Sequence, residues 1–196
     1  MRPFSARWSI ACAGGAALCT IGDHLHATHG VLVYAHPTFA DQAWWVPLLF
    51  FGAAAAALGA AVQVERVAGA RLTAAGVRTS VASLAVDTVG FAAAYAFTSF
   101  APPDRPWLTL GVLVAAFVVR IVTAWRSVVA VAFALVVAVA GPAFEATWAA
   151  LGFFHYLRPD LAGVPLWLPG IYLHAALLAL SLARFAPAPV AAASTA

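Results

Sequence analysis

Six apolar runs divide the chain: Trp8 to Tyr34, Trp44 to Ala61, Thr79 to Phe100, Trp107 to Trp125, Ser127 to Tyr156 and Leu166 to Phe185. Polar or proline-rich punctuation separates them, as at His36-Pro37, at Ala101-Pro102-Pro103-Asp104-Arg105-Pro106 and at Arg158-Pro159-Asp160. A bilayer core of about 30 Å takes roughly 20 residues of helix. The pattern therefore predicts an all-α polytopic bundle of six transmembrane helices over 8–34, 44–61, 79–100, 107–125, 127–156 and 166–185 in a single domain, with 186–196 as a flexible tail. Both termini are then cytoplasmic. Arginines support that orientation, because cytoplasmic ends collect basic residues. Arg2, Arg7, Arg66, Arg71, Arg78, Arg120, Arg126 and Arg184 fall on one side, and Arg105 and Arg158 on the other. Trp44, Trp45, Trp107 and Trp167 then mark the outer interface, with Trp8 and Trp125 at the inner one.

Composition narrows the setting. The chain of 196 residues is 64% hydrophobic and 9% charged, with a mean hydropathy of +0.95, whereas soluble domains are about a quarter charged. No basic residue is a lysine, which fits a GC-rich bacterial genome and hence an inner, cytoplasmic membrane. Cys12 and Cys19 lie seven residues apart on one helical run, about 10 Å, too far for a disulfide.

The chain also repeats itself. A gapless shift of 122 residues superimposes 23–54 on 145–176 with identities that include Gly30 with Gly152, Tyr34 with Tyr156, Pro37 with Pro159, Trp45 with Trp167 and Pro47 with Pro169. Asp23 falls on Glu145. The first and last helical hairpins are thus read as copies of one unit, both entering from the cytoplasm.

Three acids, Asp23, Asp87 and Glu145, sit inside predicted spans. A charged side chain near the bilayer centre costs about 3 kcal/mol on insertion scales, so these residues should face protein or a cavity. Helical spacing puts Asp23, His26, Gly30 and Tyr34 on one face, and Glu145, Trp148, Gly152 and Tyr156 on its counterpart. Such a stripe could line a pocket for an amphiphile or form a packing seam. By depth, Asp23, Glu145 and His174 should share the outer half of the membrane, with Asp87 nearer the midplane. Asp23, His24, His26, His29 and His36 invite a metal, but no closed ligand pattern is present. No nucleophile triad, phosphate-binding glycine loop or redox pair is visible, and neither a cofactor nor a nucleic-acid partner is expected.

At several of these residues the chain resembles the Insig (insulin-induced gene) family. The likeness rests on Trp44-Trp45-Val46-Pro47, on Gly152, Tyr156, Pro159, Asp160 and Trp167-Leu168-Pro169, and more weakly on Arg126-Ser127. It implies six spans with cytoplasmic ends and a lipid-binding, non-enzymatic regulator. Animal members bind oxysterols and retain the escort protein Scap, but Trp125 stands where they carry an acid before the arginine. The expected ligand is a neutral lipid, diacylglycerol-like or sterol-like, held by Asp23, His26, Tyr34, Trp45, Asp87, Glu145, Trp148, Tyr156, Trp167 and His174. A homo-oligomer is expected from small-residue faces such as Gly52 to Ala60, which permit close helix contacts, and a trimer is the size taken for it. The alternatives are an intramembrane isomerase-like enzyme using the acids with His26 or His174, and a proton-coupled transporter.

Overall fold

The computed structural model describes residues 6–74 and 80–185. Arg2, Arg78, the start of the third predicted span and the tail at 186–196 lie outside the described residues. Within them the order is α1 (Ala6–Thr28), β1 (Leu32–Tyr34), α2 (Val46–Ala74), α3 (Val81–Phe100), α4 (Pro106–Arg120), a π-helical turn (Ile121–Trp125), α5 (Val128–Ala150), β2 (Phe154–Tyr156) and α6 (Leu168–Phe185). Five helices, α2 to α6 with the π turn counted into α4, are long and apolar enough to cross a bilayer. The sixth, α1, has 23 residues and carries Asp23, His24 and His26 in its last two turns, which lowers its hydropathy.

Helix α6 is the axis of the bundle. Twelve of its eighteen residues are buried, and it packs against α2, α3, α4 and α5, while α1 packs on α2 and α3. A helix surrounded on all sides has little lipid-facing surface, so its small and medium apolar residues, Ala176, Leu177, Ala179, Leu180 and Ala183, all lie in the core.

Two predicted spans are too long, for one physical reason. The first run ends as a helix at Thr28 and the fifth at Ala150, six residues short of Tyr34 and Tyr156. At each end a glycine adopts positive φ, +69° at Gly30 and +81° at Gly152. The amides of Gly30 and Val31 close on the carbonyls of Ala27 and His26, and those of Gly152 and Phe153 on Ala149 and Trp148. This is the Schellman stop, in which a left-handed residue after the helix lets two amides satisfy its last carbonyls. The chain then turns back as a short strand instead of extending the helical face.

The two strands pair antiparallel, with Val33 opposite His155. Those residues are equivalent under the 122-residue shift, and so are the flanking bonds, Ala35 N to Phe153 O at 3.1 Å and Leu157 N to Val31 O at 3.0 Å. A pseudo-two-fold axis therefore passes through the middle of this sheet and relates α1–β1–α2 to α5–β2–α6. The following loops obey it too, with bridges Phe39 to Gln42 and Leu161 to Val164 and alanines of positive φ at Ala40 and Ala162. Left-handed backbone costs a β-carbon-bearing residue roughly 1–2 kcal/mol. Gly152→Ala is accordingly expected to lower stability by about 1 kcal/mol, and Ala162→Gly to raise it by up to about as much. Thermal unfolding in detergent checks the opposite signs.

Helix α2 runs to Ala74, beyond the predicted end at Ala61. No proline intervenes, and Glu65 on the extension pairs with Arg184 of α6 at 3.3 Å, so the apolar run ends where its helix does not. The π turn after Arg120 inserts an extra residue into the helical repeat and is closed by Arg126 N to Ile121 O at 2.6 Å. Arg126 is left-handed (φ 43°), which makes the tight connection to α5. Trp125 is consequently buried, at 2% exposure, and is not an inner-interface anchor.

Candidate functional site

The pseudo-two-fold axis continues into a cavity of about 130 Å³ between the two related hairpins. Repeat-related pairs line it from opposite sides: Gly15 with Val137, Asp23 with Glu145, Phe50 with Tyr172, Ala53 with Ala175 and Ala57 with Ala179. On α1 the lining residues are Ala11, Gly15, Cys19 and Asp23, each one helical turn from the next. The wall therefore changes from small and apolar to acidic toward the end of the helix. The matching stripe on α5 runs from Val137 to Phe144, Glu145 and Trp148. Helices α1 and α5 face each other across this space without extended packing, and α3 contributes Phe91 and Tyr95 from one side.

Each acid is held by the aromatic residue that follows it by eleven positions. The Tyr34 hydroxyl donates to Asp23 Oδ2 at 2.5 Å, and the Tyr156 hydroxyl donates to Glu145 Oε2. Additional donors differ between the halves. Gln42 Nε2 donates to Asp23 Oδ2 at 2.7 Å and to the Thr20 carbonyl at 3.1 Å, whereas Tyr172 donates to Glu145 Oε1 at 2.6 Å. Satisfying donors of this kind make a carboxyl tolerable in an apolar site. The Tyr34 and Tyr156 contacts come from the returning strands. Reading Tyr34 and Tyr156 as helical neighbours of the acids names the right partners on the wrong backbone.

Aromatic rings close the acidic end, again in related pairs. Trp45 stacks on Trp148 with centroids 5.5 Å apart, and Trp167 meets His26, the counterpart of Trp148, also at 5.5 Å. His26 is turned toward α3, with Nε2 2.9 Å from Thr98 Oγ1 and its ring 4.9 Å from that of Tyr95.

Of the predicted site residues, Asp23, Tyr34, Glu145 and Trp148 line the cavity directly. Trp45 and Tyr156 stand behind them through the stacking and hydrogen bonds just given. His26 and Trp167 pack behind the wall on the α3 side. Asp87 and His174 are elsewhere. Asp87 accepts hydrogen bonds from Arg120, from Ser181 and from Trp125 Nε1 (3.4 Å). Arg120 Nη1 also donates to His174 Nδ1 at 2.5 Å, and His174 Nε2 donates to the Leu113 carbonyl at 3.1 Å. This network joins α3, α4, the π turn and α6 away from the cavity. It uses Arg120 as a buried counter-ion, not as a charge in a cytoplasmic turn.

Sequence reasoning misses Gln42, Tyr95 and Tyr172. Gln42 and Tyr172 occupy positions where the repeat is broken, opposite Val164 and Phe50. A search for polar residues in one copy set against apolar ones in the other would find them.

The histidine-rich segment does not converge. His24 meets the Ala40 carbonyl at 2.9 Å, His29 meets the Leu25 carbonyl at 2.8 Å, and among the described residues no three potential ligands cluster for a metal. A second hollow of about 240 Å³ lies at the hairpin ends among His29, Thr98, Ser99, Arg158 and several prolines. Arg158 and Asp160 there are exposed, and its lining is far more polar than that of the first cavity.

No family description and no curated protein matches the chain. Solved structures do. One is a mycobacterial Insig homologue, MvINS from Mycobacterium vanbaalenii, with a TM-score of 0.75 and 26% identity over 94% of this chain and 95% of that one. Another is a cross-linked trimer of a cysteine variant of MvINS, with a TM-score of 0.76 and 25% identity over the same shares.

Proposed function

We propose that this chain, an Insig-like integral membrane protein, is a non-enzymatic sensor or regulator that binds a neutral lipid in the cavity on its pseudo-two-fold axis. The observation that carries this reading is the polarity gradient along that cavity. Asp23, Glu145, Tyr34 and Tyr172 gather at one end, while alanines, leucines and Val137 line the rest. An amphiphile with a small uncharged polar end and apolar chains matches such a gradient. An anionic head group would be repelled by the two acids, and a charge buried without a partner in a low-dielectric site is costly, which favours a neutral one.

Size selects further. An engineered apolar cavity of about 150 Å³ holds one benzene, so about 130 Å³ takes a polar end and the first carbons of its chains. The remainder passes between α1 and α5 into the bilayer. Flexible acyl chains can do this more readily than a rigid sterol ring system, so a diacylglycerol-like ligand is favoured over a sterol-like one. The placement of the histidines supports binding over acid–base catalysis. His26 is turned to Thr98 and His174 to Arg120 and Leu113, so neither is paired with Asp23 or Glu145 as a proton carrier. The likeness to a trimeric homologue supports a homotrimer, the arginine distribution supports cytoplasmic termini, and the lysine-free composition fits a bacterial inner membrane.

The test is photolabelling in lipid nanodiscs with a diacylglycerol carrying a diazirine near its glycerol. Adducts are expected on the cavity-facing parts of α1, α5 and α6. Labelling confined to the lipid-facing outer surfaces of α3 and α4 contradicts the reading.

A further inference from the structure

The two cavity acids are equivalent by the repeat but not by their bonding. Both oxygens of Glu145 are taken, Oε2 by Tyr156 and Oε1 by Tyr172. On Asp23 both donors, Tyr34 and Gln42, fall on the same oxygen, Oδ2. Among the described residues Oδ1 has no partner, although Asp23 is only 5% exposed. Oδ1 keeps some accessible surface, and the space that Asp23 lines is the cavity on the pseudo-two-fold axis. A buried carboxyl oxygen open to a cavity is a strong, directional hydrogen-bonding site, and an apolar occupant would leave it desolvated and unpaired.

We infer that Asp23, through Oδ1, is the specificity-determining residue of the cavity, and that it selects lipids carrying a free hydroxyl over equally apolar lipids that have only acceptor oxygens. Glu145, whose two oxygens each already accept a tyrosine hydroxyl, shapes the polar end without presenting an unpartnered oxygen. The inference deepens the neutral-lipid reading and rests on it. It follows from the break in symmetry: Val164 replaces Gln42 in one half and Phe50 replaces Tyr172 in the other, so the second donor reaches a different oxygen of each acid. A hydroxyl can donate to Oδ1, whereas an ether or ester oxygen cannot.

The probes are 1,2-dioleoylglycerol and its 3-O-methyl ether, which differ by the hydroxyl proton and one methyl. Competition against a photoactivatable diacylglycerol in nanodiscs should show the alcohol binding about tenfold or more tightly to the unaltered protein, the weight of one charge-assisted hydrogen bond. Asp23→Asn keeps an acceptor for Tyr34 and Gln42 and turns an amide donor toward the cavity, which alcohol and ether accept equally, so the ratio should fall to about one. Equal binding of both probes by the unaltered protein overturns this inference and leaves lipid binding intact. Binding of neither overturns both. A ratio unchanged in Asp23→Asn also refutes the assignment. If that variant does not fold, the adduct site of a headgroup diazirine on the unaltered protein decides in its place: Cys19 to Asp23 is expected, and labelling of α5 alone contradicts it.

Discussion

Replacing Asp87 with alanine is expected to destabilise the bundle by about 3–5 kcal/mol, as removing one partner of a buried ion pair does. Asp87 and Arg120 are 5% and 12% exposed at their side chains, and Asp87 is the only carboxylate within reach of Arg120 among the described residues. Removing it leaves a guanidinium buried with only His174 as an acceptor, and a cation so placed lacks both water and a counter-charge. Four segments meet at this point, because Ser181 on α6 and Trp125 on the π turn also donate to Asp87. The double variant Asp87→Leu with Arg120→Leu is expected to recover most of the loss, since a paired buried charge is often worth little more than good apolar packing. Equilibrium unfolding in detergent checks both parts. A single variant that costs less than about 1 kcal/mol would mean that the pair is solvated.

The second large effect concerns binding. Ala53 and Ala175 face each other across the pseudo-two-fold axis within the cavity. Ala175→Phe adds a group the size of benzene to a cavity of about 130 Å³ and fills most of it. Lipid capture is expected to fall about a hundredfold, the equivalent of roughly 3 kcal/mol. The stability of lipid-free protein should hold or rise, because filling a void restores lost contacts. Saturation binding and unfolding on one preparation separate these outcomes. A loss of both together would mean that the residue is packed and the cavity is not a ligand site.

Much of the architecture is legible in the residues because a bilayer leaves the backbone few choices. The six apolar runs correspond to six helices, and the 122-residue repeat foretells a two-fold relation that extends to hydrogen bonds and ring contacts. Gly30 and Gly152 are the exception. Set on the helix faces of Asp23 and Glu145 they read as members of a continuous stripe, although a glycine after the last periodic residue is also a stop signal. That one choice hides the β1–β2 sheet. It leaves the pairing of Asp23 with Tyr34 intact, because eleven residues span about three helical turns and a reversed strand brings back the same side chain.

The Asp87 network is not legible in the same way. Its members come from α3, α4, the π turn and α6, and no spacing within one segment encodes a contact among four. The arginine tally puts Arg120 on the cytoplasmic side, and hydropathy cannot separate a boundary arginine from one paired inside the bundle. Depth reckoning groups His174 with Asp23 and Glu145. Helix rotation about the α6 axis, which rise per residue does not report, turns it toward Arg120 instead.

Native mass spectrometry of protein taken gently from its own membrane tests the central claim most directly, and it reads the assembly as well. A trimer is expected, in which each protomer carries one neutral two-chain lipid, a mass that disappears in Ala175→Phe. Bare protomers at every solubilising condition, or a bound mass unaffected by that substitution, would contradict the account.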